Sequence, residues 1–316
     1  MIRVLEVAAG VIADAQGRVL LMQRLPGKHL AGLWEFPGGK LEPGETIAQA
    51  LERELAEELA IEVRASEPLI SIPWHYPEKS VCLHACRVTA WRGAAQAREG
   101  HPLRWVHVRD MDVALMPAAD APIVTALRLP ACYAISGEMG SGSFPDTAEV
   151  FAHDQLENDS DPILQLRMPG AARADVRRVA MEWLDNDPSL RGRLLINHDV
   201  DLARELGVGV HLCAGQLREL RERPLPPGAW VGASCHDAEE LDLAANLGAD
   251  FATLSPVNAT ASHPGASPLG WERFARLVRD ARLPVYALGG VGPGDLAAAK
   301  VAGGQGVAGI RAFHIL

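Results

Sequence analysis

Three glutamates at helical spacing, Glu54, Glu57 and Glu58, carry the first chemical signal in this 316-residue sequence. Residues three and four apart share one face of a helix, so their carboxylates are expected to converge. The helix that presents them starts near Glu45, because Ala48, Leu51, Leu55 and Leu59 form an apolar stripe at i, i+3/i+4 spacing beside them. Like charges on one face repel unless a cation neutralises them. Hard oxygen donors at close range suit Mg²⁺ or Mn²⁺, and Mg²⁺ also takes phosphate oxygens from a substrate. Taken alone, three glutamates more often make a solvated acidic face. Ahead of the helix, Gly38 and Gly39 allow close approach of the backbone to a ligand.

The wider spacing overturns that bland reading. Gly39, five residues, Glu45, seven residues and then Arg53-Glu54-Leu55-Ala56-Glu57-Glu58-Leu59-Ala60-Ile61 resembles the Nudix box. The resemblance implies metal ligation of Mg²⁺ (or Mn²⁺) by Glu54, Glu57, Glu58 and the Gly39 carbonyl, with Arg53 orienting the glutamates. Ala60 stands where the family has glycine, at a helix C-terminus where glycine eases the exit. Leu33-Trp34-Glu35-Phe36-Pro37-Gly38-Gly39-Lys40 resembles the entry to the box in the MutT branch, which hydrolyses 8-oxo-dGTP to 8-oxo-dGMP and pyrophosphate. The same resemblance puts Arg24, Glu35 and Phe36 in the nucleotide pocket, and makes Glu99, after Trp91-Arg92-Gly93, a further metal ligand. Pro117-Ala118-Ala119-Asp120-Ala121-Pro122 resembles a segment whose asparagine reads the oxidised guanine edge; here that position is Asp120. An ionised Asp120 accepts from the N7–H of an 8-oxopurine but donates to O6 only when protonated.

The elements around these residues follow from the apolar pattern. Val4–Ile12 and Val19–Gln23 are expected strands about a turn at Ala13–Gly17, and Trp34–Phe36 leads as a strand into the glycines. Further strands are expected at Ile61–Val63, Leu69–Trp74, Val81–Trp91 and Trp105–His107, with a helix over Pro117–Leu127. Together they make one mixed sheet between helices, the sandwich of a Nudix domain over residues 1–128.

Beyond a Leu-Pro-Ala linker the texture changes. Strand-like runs recur with helical segments between them: Cys132–Ile135, Ile163–Arg167, Leu194–Asn197, Gly209–Leu212, Trp230–Ser234, Phe251–Ser255, Val285–Gly289 and Gly306–Ile310. Eight such units predict a (β/α)₈ TIM barrel over residues 132–316, with functional residues at the strand C-termini. Gln165-Leu166-Arg167, Leu195-Ile196-Asn197, Gly209-Val210-His211-Leu212, Gly232-Ala233-Ser234, Ser255-Pro256-Val257 and Leu288-Gly289-Gly290 resemble the thiamine-phosphate synthase and TenI family. That implies a ligand pocket of Gln165, Arg167, Asn197, Ser234, His236, Gly289 and Gly290, the two glycines cradling phosphate. His236 falls where the TenI thiazole tautomerase has its functional histidine. The synthase's two metal-binding aspartates align with His198 and Gln216, and its two pyrophosphate-binding lysines with Pro169 and His263. A leaving pyrophosphate needs that positive charge, so synthase activity is not expected.

Apolar residues make up 48% and charged residues 22% of the chain, the balance of an ordinary globular protein, and the formal charge of −10 argues against stable nucleic-acid binding. Five cysteines, mostly scattered, include the close pair Cys82 and Cys86 with no second ligand pair at zinc spacing, so all five are read as reduced core or pocket residues in a cytoplasmic setting; no apolar run reaches membrane-spanning length, and the N-terminus reads as a strand, not a signal peptide. The expected partners are a nucleoside triphosphate and a phosphorylated small molecule in the barrel. Alternative substrates are a dinucleotide, a sugar nucleotide or a thiamine-pathway pyrophosphate, with the barrel a ligand-binding module or thiazole tautomerase.

Overall fold

The first two apolar runs form β1 (Val4–Ile12) and β2 (Arg18–Gln23). The turn between them is closed by Asp14, whose Oδ1 accepts from the Gln16 and Arg18 amides at 2.9 Å. There follow β3 (Trp34–Glu35), β4 (Gly38–Lys40), α1 (Ile47–Leu59), β5 (Glu62–His75), β6 (Ser80–Arg92), β7 (Leu103–His107) and α2 (Ala121–Arg128). The computed structural model describes residues 4–137, 163–260, 265 and 267–310, and the chain divides into two units, Met1–Arg128 and Leu129–Leu316.

Within the first unit the strands form two sheets where one was expected. β4-β1-β6-β5 is mixed, with β1 and β6 parallel, whereas β3-β2-β7 is antiparallel. The split arises because β1 pairs with β4 and β6, while β2 takes β3 and β7 as its partners. α1 buries Ala50, Leu51, Leu55 and Leu59 against Ala8, Ile12, Cys86 and Val88. A Cβ on Gly10 would lie 3.0 Å from a Leu55 methyl, so the missing side chain lets the helix seat closely on β1. The other core, with Ala9, Val11, Ile72 and Leu83, packs on Ile123 and Val124 of α2. Thr46 caps α1: its Oγ1 accepts from Gln49 N at 3.3 Å and the Gln49 side chain accepts from Thr46 N at 2.9 Å.

In the second unit β8 (Cys132–Ile135), β9 (Ile163–Leu166), β10 (Leu194–Asn197), β11 (Gly209–Leu212), β12 (Val231–Cys235), β13 (Phe251–Leu254), β14 (Val285–Leu288) and β15 (Gly306–Gly309) close into a parallel barrel. Alternation along each strand divides its residues between two layers. Tyr133, Ile135, Ile163, Leu195, Phe251, Tyr286 and Ala308 fill the interior. Ala134, Leu164, Leu166, Ile196 and Val210 face the surrounding helices, among them Arg173–Asn186 and Ala238–Leu247. Gly232 makes room for interior rings, since a Cβ there would lie 2.6 Å from His211 and 2.7 Å from Phe251. Among the described residues no helix is long and apolar enough to cross a membrane.

Candidate active site

The strand β4 and the helix α1 bring the acidic residues to one cavity of about 420 Å³, which Gly38, Gly39, Glu54, Glu58 and Glu99 line. Gly38 has φ +144°, and a Cβ there would lie 2.1 Å from Ala8 O, so glycine is required for β4 to pair with β1. Gly39 is required for another reason: a Cβ would lie 2.2 Å from the Glu54 carboxyl carbon. The Glu54 carboxylate thus rests against the Gly39 backbone. Arg53 fixes this arrangement, donating to Glu54 Oε1 at 2.8 Å, to Glu45 Oε1 and Oε2 at 2.8 and 2.9 Å, and to Lys40 O at 3.0 Å. Those bonds hold the Glu45 carboxyl down at about 2. Glu58 accepts from Gly38 N at 3.0 Å, yet burial pushes its carboxyl up to about 8, with Glu54, Glu35 and Glu99 pushing the same way.

Glu57 does not follow the other two into the cavity. Its side chain is 58% exposed and lies 3.5 Å from Arg53. Glu99 reaches the cavity from the loop before β7, 3.5 Å from His101. Among the described residues, no three of these glutamates bring one oxygen each within 4.8 Å of one another. The donor set is nonetheless all oxygen, it stands over backbone with no side chain in the way, and its negative charge adds to the burial that raises Glu58. Such a set fits Mg²⁺ or Mn²⁺ carrying water and phosphate oxygens of its own.

The cavity is also lined by apolar side chains, among them Met22, Leu25 and Phe36. Phe36 is buried, and Arg24 donates to His29 O at 2.6 Å and pairs with Glu35. Burial raises the Glu35 carboxyl while Arg24 opposes it. Asp120 is only 4% exposed, and its Oδ2 has no hydrogen-bond partner. Burial pushes its carboxyl well above the usual carboxylate range, reinforced by Glu35 and opposed by Arg24. That upward push favours the protonated carboxylic acid, the form of Asp120 that offers an O–H donor as well as a carbonyl acceptor. Tyr76, Lys79 and His101 also line the cavity and were not singled out from the sequence. Tyr76 and Lys79 close the turn between β5 and β6, with Lys79 Nζ 5.7 Å from the Tyr76 ring centre. An aromatic and a cation three apart in one turn were the available signal.

In the barrel, Gln165, Asn197, His211 and Ser234 sit at or near the C-terminal ends of adjacent strands and join one hydrogen-bond chain. Gln165 Nε2 donates to Asn197 Oδ1 at 2.7 Å, and the Tyr133 hydroxyl donates to Gln165 Oε1 at 3.0 Å. The Tyr133 proton being used, His211 Nδ1–H must donate to the Tyr133 oxygen at 3.0 Å. His211 Nε2 is then left to accept from the Ser234 hydroxyl at 3.0 Å. Burial pushes His211 down to about 3, so it is neutral. Arg167 and Asn197 line a cleft of about 360 Å³ together with His198. His236 is elsewhere engaged: its Nδ1 lies 2.9 Å from Glu240 Oε2, which also accepts from His236 N. Gly289 and Gly290 take φ of +92° and +64°, and a Cβ on either would strike the Pro256–Ala259 segment. Gln216 is tied to backbone, accepting from Cys213 N and donating to His198 O at 2.9 Å. His263 lies outside the described residues.

Residues 8–126 match the family model of the Nudix domain, and residues 133–313 match the model described as thiamine monophosphate synthase. Over 125 residues the chain is 38% identical to the 8-oxo-dGTP diphosphatase of Haemophilus influenzae, covering 40% of this chain and 92% of that protein. It is 39% identical over 124 residues to the CTP pyrophosphohydrolase of Escherichia coli, covering 39% of this chain and 91% of that protein. Over 189 residues it is 31% identical to the putative thiamine-phosphate synthase 2 of Aquifex aeolicus, covering 59% of this chain and 99% of that protein.

Proposed function

The chain belongs to the Nudix family through its first unit and to the thiamine monophosphate synthase family through its second, and from that premise we propose that the first unit hydrolyses 8-oxo-dGTP to 8-oxo-dGMP and pyrophosphate. The enzyme is a hydrolase of phosphorus-containing anhydrides; the buried, unpartnered Asp120 carries the choice of base. Oxidation at C8 turns guanine N7 from an acceptor into an N–H donor, next to the O6 acceptor. A neutral Asp120 matches that pair with its carbonyl and its O–H. Against unoxidised guanine its carbonyl would face the N7 lone pair, and a site built for a hydrogen bond rejects an analogue lacking it.

Glu54, Glu58, Glu99 and the Gly39 carbonyl are the proposed metal ligands at the phosphate end, Glu57 joining them by a side-chain rotation. Mg²⁺ or Mn²⁺ bound there supplies neutralisation of phosphate charge and a more acidic water. Arg53 holds Glu54 in place, and a carboxylate of the cluster takes the proton as water attacks phosphorus and the diphosphate bond breaks. The barrel is proposed to bind a phosphorylated small molecule without synthase activity.

A second reading has support in the similarity to a CTP pyrophosphohydrolase. Cytosine sets its N4–H₂ donor beside the N3 acceptor, and a neutral Asp120 matches that pattern as well. Values of kcat/KM for 8-oxo-dGTP, dGTP and CTP, measured on the wild type, Asp120→Asn and Asp120→Ala, separate the two. We expect 8-oxo-dGTP to be preferred over both, Asp120→Asn to keep that preference and Asp120→Ala to shrink it. Equal hydrolysis of dGTP and 8-oxo-dGTP by the wild type would defeat the oxidised-base reading, and a preference for CTP would replace it.

A further inference from the structure

A second set of potential metal ligands lies across the sheet from the nucleotide cavity. β1 and β6 run parallel with Glu6 opposite Cys82 and Ala8 opposite His84. Side chains alternate between the two faces of a sheet. Leu5, Val7, Ala9 and Leu83 line the nucleotide cavity, so Glu6, Cys82 and His84 leave from the opposite face. His84 Nε2 lies 2.5 Å from Glu6 Oε2, and one ligand atom from each of Glu6, Cys82 and His84 lies within 4.8 Å of the others. Ser71 of β5 stands opposite His84, its Oγ 2.8 Å from His84 Nδ1.

We propose that Glu6, Cys82 and His84 bind one zinc-class divalent ion, separate from the carboxylates of the hydrolytic site. A thiolate, an imidazole and a carboxylate are the donors Zn²⁺ prefers, whereas Mg²⁺ takes oxygen alone. Tetrahedral zinc with bonds of about 2.0–2.3 Å sets its ligands roughly 3.5 Å apart, which small rotamer changes reach from this arrangement. Ser71 supplies the outer support: Nδ1–H donating to its Oγ leaves the Nε2 lone pair turned toward Glu6 and Cys82. Binding releases the Cys82 thiol proton, moves the imidazole proton of His84 from Nε2 to Nδ1, where it donates to Ser71 Oγ, and replaces the His84–Glu6 hydrogen bond with two metal bonds. Three protein donors leave a fourth position for water, and side-chain exposures of 46% for Glu6 and 15% for His84 leave the ion a route in. Cys86, two residues along, is a core residue instead: it packs under α1, where burial pushes its thiol up to about 11. The ion would tie two neighbouring strands of the sheet without touching the reacting phosphates.

Co²⁺ is the probe, titrated into the full chain with Mg²⁺ held saturating to occupy the hydrolytic carboxylates. We expect one equivalent to bind with thiolate-to-cobalt charge-transfer absorption, which Zn²⁺ then abolishes by displacement. Cys82→Ser and His84→Gln should each lose that band, Ser71→Ala should weaken binding by roughly 10-fold, and Cys213→Ser should leave the band intact. Mg²⁺-dependent hydrolysis by the same variants reports that they are folded. No thiolate band in the wild type, a band that survives Cys82→Ser, or full affinity in His84→Gln would overturn the site. The outcome does not depend on which nucleotide the hydrolase prefers.

Discussion

A carboxyl group sealed into a cavity wall without a partner resists ionisation, and Asp120 is such a group. Its raised folded value has a consequence for stability that is separate from catalysis. Below the ordinary carboxyl value of 3.8 both folded and unfolded chains carry the proton and nothing is lost. Above it the unfolded chain releases the proton while the folded chain keeps it. The native state then binds more protons than the unfolded one, and stability falls as pH rises toward the folded value. Asp120→Asn keeps the shape and removes the titration. The variant should therefore gain on the wild type as pH rises from 4, by up to about 1.4 kcal/mol per pH unit. Urea unfolding of both proteins at pH 5 and pH 8 measures this; a difference that stays constant with pH would show that Asp120 is ionised in the folded chain. The position of Asp120 was legible in the sequence through the proline-flanked segment around it. The upward push on its carboxyl was not, because that depends on its burial and on Glu35, 85 residues earlier in the sequence, arriving at the same cavity.

At the level of the element, α1 shows what a single departure from a motif does. Ala60 ends the helix with φ 57° and ψ 30°, donating its N–H back to Ala56 O and Leu55 O. The left-handed conformation that glycine adopts freely is kept here by an alanine. Its Cβ costs about 1–2 kcal/mol in that region, while glycine's extra freedom in the unfolded chain costs about 0.4–1 kcal/mol. Ala60→Gly should thus stabilise the fold by roughly 1 kcal/mol, seen as a higher urea midpoint with unchanged slope and with metal dependence of hydrolysis unaltered. A lower midpoint would mean that the helix exit is held by contacts of the alanine methyl. α1 was legible because burial on one face writes a regular pattern, whereas β1 and the short barrel strands were legible as apolar runs, the barrel strands being buried almost throughout. β5 was read as two pieces. Register shifts between Val63 and Ala65, Ala65 and Ser66, and Pro68 and Ile70 break its alternation. It tolerates Pro68 and Pro73 because it is the edge strand of its sheet. β4 was missed as a strand, since Gly38-Gly39 reads as a turn and only pairing with Ala8 and Ala9 makes it extended.

Across the molecule, two units with separate cores carry two polar centres of opposite character. The hydrolytic centre is rich in charge, whereas the barrel interior is neutral, its Ser234–His211–Tyr133–Gln165–Asn197 chain leaving each proton assigned. Departure of pyrophosphate from a pyrimidine diphosphate demands cationic help at the barrel mouth. Pro169 stands at one expected lysine, and the two expected aspartates are replaced by His198 and Gln216. His198 is held at φ 62° beside Arg167, where burial and that guanidinium lower its basicity. Gln216 spends its amide on the His198 carbonyl. Removing a single group that stabilises developing charge costs about 10²–10³ in rate, and here several are gone together. The full chain should therefore form no detectable thiamine phosphate from the pyrimidine diphosphate and thiazole phosphate with Mg²⁺. The assay belongs in a Glu54→Gln background, so that the first unit cannot consume the diphosphate and imitate a negative result. Calorimetric titration of thiazole phosphate into the same protein then distinguishes a retained phosphate pocket from an empty scaffold: binding without turnover is the expected outcome, with Arg167→Ala weakening it. Steady production of thiamine phosphate would show that the barrel assembles a cationic site from groups other than those at Pro169, His198 and Gln216.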